Sequence, residues 1–284
     1  MNNKPKAQYE KPPPHTSKHA HKQRTTEMSI KKTKDSNEFY HSQKDYLSSS
    51  AIKTIAKKSV LHFIEQKPFK SDALTIGSAF HTFVLENELF FKEFIVTPKI
   101  NRRTKAGKEE YAKLQNQAAA TGKQIINELD YHMIQTMSEK IFEDKTCKEL
   151  LSNGEAEMSF YCENFIDIKA RVRPDYYKEG EYIIDLKSCQ DASPRAFKYD
   201  ILKYGWHIQA AFYMDVLEVN EFYFIASEKN HPYACQTYKL SDHLINEGRI
   251  AYMDAIASWK NFLEFGEIQK YKTDNMTDNG VIIL

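Results

Sequence analysis

The hydrophobic rhythm of the chain changes near its midpoint. Ahead of Glu155 the apolar positions recur at helical spacing. Ala51, Ile52, Ile55, Ala56 and Val60 follow Asp45-Tyr46-Leu47-Ser48, where serines supply a capping signal. A second helix is expected over about Asp72 to Lys92, with Phe94-Ile95-Val96 as a short strand after it. Helical spacing returns from Lys105 to Lys140, interrupted at Thr121-Gly122. From Glu155 onward the period shortens to two. Ala156, Met158, Phe160 and Cys162 alternate with polar neighbours, and Ile166, Ile168, Ala170 and Val172 alternate with Asp167, Lys169, Arg171 and Arg173. Lys178-Glu179-Gly180-Glu181 reads as a turn and Tyr182 to Lys187 as a third strand, so the three strands predict a meander. After Ser193-Pro194 the pattern predicts a helix to about Val219, strands near Glu221–Ala226 and Ala234–Leu240, and a long amphipathic helix from Ser241 to about Phe265. This order predicts an α/β or α+β fold with a central mixed β-sheet, its meander flanked by helices.

Upstream of this region, Met1 to about Lys44 is polar, contains Pro12-Pro13-Pro14, and has too few aliphatic residues to offset the entropy of ordering. The predicted organisation is a disordered basic tail over 1–44, one domain over 45–267 and a C-terminal extension over 268–284 that ends in Val281-Ile282-Ile283-Leu284.

Charge narrows the function classes. Forty Lys and Arg against 39 Asp and Glu leave a net charge of +1, which excludes a blanket polycation. The tail holds ten basic and four acidic residues, so the remainder carries a net negative charge and any basic surface on it is local. The tail reads either as a weak tether to nucleic acid or a partner, or as a solvated leader. No apolar stretch approaches the roughly 20 residues of a membrane-spanning helix, and Met1 to Lys6 lacks the apolar core of a signal peptide. The four cysteines, at 147, 162, 189 and 235, are too sparse for a disulfide scaffold, so reduced thiols and a cytoplasmic location are expected.

The densest chemical signal is Asp175 followed by Asp185-Leu186-Lys187. Strand alternation puts Asp185 and Lys187 on one face, and the turn at Gly180 returns Asp175 beside them. Paired aspartates and the Leu186 carbonyl suit a hard divalent cation such as Mg²⁺, and a neighbouring ammonium suits an attacking water and a phosphate. D-x-K alone is weak; its company strengthens it. Gly77-Ser78-Ala79-Phe80-His81 lies upstream, Arg173-Pro174 directly precedes Asp175, and Gln209 and Tyr213 follow at i, i+4 on one helix face.

With these motifs in this order, the region from about Asp45 to Phe265 resembles the PD-(D/E)XK nuclease superfamily in its RecB-like form, and within it the phage and prophage exodeoxyribonuclease VIII (RecE) branch. The resemblance implies a restriction-endonuclease-like core. It implies that His81, Asp175, Asp185, the Leu186 carbonyl and an acid on the first strand hold metal; Glu157 and Glu155 share parity and both stand for that acid. It implies that Lys187 positions or activates water, with Gln209 and Tyr213 beside it. Arg173 either contacts the DNA backbone or balances the acids. The run Asn101-Arg102-Arg103-Thr104-Lys105, with Lys99 and Lys108, reads either as a DNA-facing loop or as a solvated one.

The implied activity is Mg²⁺-dependent exonuclease action on linear duplex DNA, 5′→3′, with Mn²⁺ as a substitute ion. The implied setting is phage recombination in a bacterial cytoplasm, close to the nucleoid. Implied partners are duplex DNA ends, a single-strand annealing protein and further copies of the chain in a ring, with no membrane. Two alternatives stand beside it: a non-catalytic DNA-binding accessory protein, and a structure-specific endonuclease on the same fold. The cysteine gaps lack the close pair that a four-cysteine iron–sulfur cluster needs, and no phosphate-binding glycine loop is present, so neither a cluster nor ATP is expected.

Overall fold

The computed structural model describes residues 28–67, 69, 71–268 and 271. The chain opens with β1 (Ile30–Thr33), α1 (Asn37–Ser42), β2 (Leu47–Ser48), α2 (Ser49–Lys57) and α3 (Val60–Ile64). A helical stretch follows: α4 (Asp72–Leu85), α5 (Asn87–Glu93), β3 (Phe94–Thr97), α6 (Lys105–Thr121), β4 (Gln124–Asn127), α7 (Glu128–Glu143) and α8 (Lys145–Leu150). The β-rich half comprises β5 (Glu155–Ala156), β6 (Ser159–Phe165), β7 (Ile168–Val172), β8 (Tyr176–Lys178) and β9 (Tyr182–Cys189). It closes with α9 (Pro194–Tyr204), α10 (Trp206–Leu217), β10 (Glu221–Glu228), β11 (Cys235–Lys239) and α11 (Asp242–Phe265).

Two main sheets organise the molecule, one of four strands in the order β1-β6-β7-β2 and one of five in the order β11-β10-β9-β8-β5; β3 and β4 form a separate parallel pair. The fold is thus mixed α/β with helices on the sheets, as the hydrophobic pattern predicts. The expected meander is divided. β6 and β7 form one hairpin, β8 and β9 another, and the chain crosses between the sheets at Arg173-Pro174-Asp175. A proline within that crossing cannot donate to a ladder, which helps end the strand there. The first expected strand is also cut. Glu157 has φ 51°, a left-handed conformation uncommon for glutamate, and it separates β5 from β6 into different sheets.

Successive residues of β9 face two different cores. Ile183 joins the cluster formed with α2, α10, α11 and the four-stranded sheet, whereas Ile184 and Leu186 join the cluster formed with α4, α7 and α8. Asp185 and Lys187 therefore share the face of Ile183, while the Leu186 side chain anchors the strand from the other side. β10 runs parallel to β9, with Phe224 opposite Asp185 and Ala226 opposite Lys187, and α9 and α10 form the crossover between them. The expected single helix from Ser193 to Val219 is two helices, because Gly205 adopts φ 67° and turns the chain.

The ordered chain begins ahead of Asp45. β1 pairs antiparallel with β6, matching Lys32 to Phe160, and α1 carries a buried Tyr40. The ring of Tyr40 has the guanidinium groups of Arg171 and Arg173 at 4.8 and 4.5 Å from its centre. Residues 1–27 and Val281 to Leu284 lie outside the described residues. Among the described residues no helix is long and apolar enough to cross a membrane, and all four cysteines are free thiols.

Candidate active site

A cavity of about 520 Å³ opens where the two sheets, the N-terminal segment and helices α2, α4, α5 and α10 meet. Its walls bring together His81 from α4, Glu157 from the link between β5 and β6, Asp175 from the sheet crossing, Asp185 and Lys187 from β9, and Gln209 and Tyr213 from α10. The β8–β9 hairpin explains the two aspartates. Tyr176 pairs with Ile184, so Asp175 arrives next to Asp185.

The site has two halves. In the first, ligand atoms of His81, Glu157 and Asp175 all lie within 4.8 Å of one another. His81 Nδ1 is 3.4 Å from Asp175 Oδ1, and His81 Nε2 donates to the Leu186 carbonyl at 3.0 Å. Asp175 Oδ2 accepts from the Leu186 N–H at 2.6 Å, while Glu157 donates its own N–H to the Asp175 carbonyl at 3.0 Å. The alternative acid, Glu155, points elsewhere and pairs with Lys32 on the surface. The unusual backbone of Glu157 thus resolves an ambiguity that strand parity leaves open.

In the second half, Gln209 Nε2 donates to Asp185 Oδ1 at 2.5 Å and the Lys187 ammonium forms an ion pair with Asp185 Oδ2, an oxygen that receives no well-directed hydrogen bond. Asp185 is 2% exposed, so this single ammonium is its main compensation. Tyr213 donates to the Arg173 carbonyl at 3.2 Å and lies 3.5 Å from Ser49 Oγ. The Gln209–Tyr213 pair therefore braces Asp185 on one side and the sheet crossing on the other.

Electrostatics follow from confinement. Burial, with the Asp175 charge added, pushes the Glu157 carboxyl up to about 8. Burial also raises the Asp185 carboxyl, against the pull of Lys187. For His81, burial favours the neutral ring, but Asp175 overcomes it and lifts the imidazole to about 9. Asp175 answers in kind: burial opposes its ionisation, yet His81 holds its carboxyl below the usual range. These carboxylates crowd one another around the His81 imidazole and the Lys187 ammonium, an arrangement that a divalent cation would relieve.

The donor set fits such an ion. Carboxylate oxygens, an imidazole nitrogen and a carbonyl oxygen are ligands for hard or borderline divalent metals, and Asp185 Oδ2, held by the Lys187 ammonium alone, lines the same cavity. His81, Glu157 and Asp175 would hold it, with Asp185 at the boundary between the metal half and the lysine half.

Other residues singled out in the sequence sit apart from this centre. Arg173 reaches the cavity wall, but its guanidinium donates to Ser159 Oγ at 2.9 Å, Asn37 Oδ1 at 2.8 Å and the Asp35 carbonyl at 2.9 Å. Those bonds fasten the N-terminal segment and leave little of it for DNA. Arg102, Arg103 and Lys105 do not line the cavity; Arg102 lies over the Tyr111 ring at 4.8 Å beside a second, smaller hollow.

Lys53 is a functional candidate absent from the sequence reading. It lines the cavity and donates to Gln209 Oε1 at 2.9 Å, extending the chain Lys53–Gln209–Asp185–Lys187. Burial, with Lys187 nearby, lowers its ammonium to about 8. Lys53 lies one helical turn after the buried Ser49, and only the packing of α2 against α10 brings it to the site.

Comparison with known proteins bears on the fold and the family. Among solved structures, a candidate exonuclease from Eubacterium rectale matches with a TM-score of 0.57 at 15% identity, over 87% of this chain and 92% of its own. That likeness concerns the fold. SSO0001 also aligns, over 68% of this chain and 88% of its own at 14% identity, but its TM-score of 0.29 bears no weight. No curated protein matches the chain. Residues 41–270 match the family described as the PDDEXK-like domain of unknown function, DUF3799, a span that contains Pro174-Asp175, Asp185-Leu186-Lys187, His81 and Glu157. The chain belongs to that PDDEXK-like family.

Proposed function

We propose that this chain is a divalent-metal-dependent nuclease that degrades linear duplex DNA from its ends. The observation that carries the reading is the placement of His81, Glu157 and Asp175 within 4.8 Å of one another, in the same cavity as the Asp185–Lys187–Gln209 chain. The family and the fold support a nuclease. The preference for ends, 5′→3′ polarity, Mg²⁺ with Mn²⁺ as a substitute, a ring of identical copies and delivery of 3′ strands to an annealing protein are the finer parts of the proposal and draw on the resemblance to exodeoxyribonuclease VIII.

A bound divalent ion would polarise the scissile phosphate and acidify a water in its coordination sphere. The remaining work falls to the chain's own residues. Asp175 and Glu157 orient toward a common point, and His81 is held there by the Leu186 carbonyl. Lys187 sits beside Asp185, where its ammonium can balance charge that builds on the phosphate. Gln209 and Lys53 keep Asp185 in place, and they limit its motion as substrate enters.

The test is digestion of linear duplex labelled at one 5′ or one 3′ end, alongside a covalently closed circle, with Mg²⁺ or with chelator. Progressive loss from ends that spares the circle, stops in chelator and disappears in Asp185→Ala is the expected result. Cutting of the circle would instead establish an endonuclease, and DNA binding without metal-dependent cleavage would establish an accessory protein.

A further inference from the structure

An unbroken run of aromatic and cationic side chains leads from Lys187 to the protein surface along α9. The Lys187 ammonium is 5.0 Å from the centre of the Trp206 ring. Trp206 stacks on Tyr204, with centroids 5.3 Å apart and planes 29° from parallel. Lys203 Nζ lies 5.0 Å from the Tyr204 ring and 5.7 Å from that of Tyr199. Tyr204 is 48% exposed and Tyr199 64% exposed, so burial of apolar surface does not account for either ring. α2 borders this track, where Lys57 Nζ donates to the Leu202 carbonyl at 3.0 Å.

Charge points to the occupant. Beyond the tail the chain is acidic on balance, yet α9 holds Arg195, Lys198 and Lys203 against Asp200 alone. A local basic face with exposed tyrosines suits a polyanion that offers flat π surfaces. Single-stranded DNA has both, because its bases are free to stack on protein rings, whereas a duplex keeps them covered.

We infer that the surface from Trp206, at the start of α10, to Tyr199 on α9 is a binding track for single-stranded DNA. Bases stack on Tyr204 and Tyr199, and phosphates meet Lys203 and Lys57. The track adjoins the cavity through Trp206, so a strand separated at the reacting end is carried past Lys187. This role in turnover rests on the nuclease reading; the binding itself does not.

The experiment measures fluorescence anisotropy of fluorescein-labelled (dT)20 and of a labelled 20-base-pair duplex with the full chain in chelator, where no cleavage intervenes. Tyr204→Ala is expected to weaken (dT)20 binding about tenfold or more with little change for the duplex, and Tyr204→Phe is expected to retain it. Lys203→Ala is expected to reduce the salt dependence for (dT)20 by about 0.7 in log–log slope. Because Tyr204 is exposed, thermal melting of its variants should coincide with that of the parent, and Tyr199→Ala supplies a second test on the same track. No binding of (dT)20 by the parent, binding unchanged in both alanine variants, or equal loss for duplex and single strand would each overturn the track. Digestion of linear DNA run in parallel separates the two ideas: normal digestion with unaltered (dT)20 binding overturns the track alone, and selective loss of (dT)20 binding without any digestion overturns the nuclease alone.

Discussion

At the scale of single residues, the site is defined by which acids share a cation. Glu157 and Asp175 converge with His81, whereas Glu155 is committed to Lys32. Glu157→Gln should therefore weaken Mn²⁺ binding on the order of tenfold or more in isothermal titration, while Glu155→Gln should leave it unchanged. Lys53 invites a different test. Its ammonium falls to about 8 in the folded protein, from an ordinary value of 10.5. Between those values the unfolded chain holds the extra proton, so the contribution of Lys53 to stability rises as pH climbs from about 8 to 10.5; below about 8 the burden of the buried charge is fully present. Lys53→Met should thus raise the urea midpoint at pH 7.5, by an amount on the order of 1 to 3 kcal/mol, and lose that advantage near pH 10.5. A midpoint difference that is constant with pH would refute the buried-ammonium account.

At the scale of elements, α10 is the support on which the lysine half of the site depends, and α11 is the support behind α10. Gly248 of α11 approaches it so closely that a Cβ there would lie 2.3 Å from the His207 carbonyl oxygen and 3.0 Å from the Ala211 Cβ. Backbone cannot yield as a flexible side chain would. Gly248→Ala should force the two helices apart, cost on the order of 1 to 3 kcal/mol in thermal or urea unfolding, and reduce turnover through displaced Gln209 and Tyr213. The helices α2, α4 and α11 were legible in the sequence because their apolar positions repeat and a serine caps each of them. β4 was not legible: Gln124-Ile125-Ile126-Asn127 is four residues long and lies between two helices, too short for alternation to register. The breaks at Glu86 and Gly205 were likewise hidden, since hydrophobic spacing continues across them while the backbone turns.

At the scale of the whole molecule, His81, Asp175, Asp185, Lys187, Gln209 and Tyr213 were all picked out from sequence motifs and all line one cavity. What remained illegible is tertiary. Lys53 joins the site only because α2 packs against α10, and Arg102, Arg103 and Lys105 stay out of it because α6 stands beside β4, remote from β9. The N-terminal segment was the largest surprise, for its composition is polar and its order comes from partners distant in sequence. Asp35, Asn37 and Tyr40 line the cavity while tied to Arg173, Tyr161 and Arg171. A chain that starts at Asp45 would lose these ties and strip partners from two guanidinium groups, one of them 5% exposed. Such a truncation should unfold with a stability lower by several kcal/mol in urea titration, and an unchanged midpoint would show that these ties carry no stability.

The pairing of β1 with β6 has a consequence for how the protein behaves in concentrated solution. β6 reads Ser159-Phe-Tyr-Cys-Glu-Asn-Phe165 and is largely buried, and β1 stands as the outermost strand on that side, with Lys31 and Lys32 among its four residues. Positive charge on a short terminal strand discourages further strand addition. Without β1, the backbone donors and acceptors of β6 that now face it would be open beside phenylalanine and tyrosine side chains, a template on which a second molecule could extend the ladder. Shortened versions of this chain should therefore self-associate through β6, with light scattering that grows with concentration, and adding back an Ile30–Thr33 peptide should suppress it.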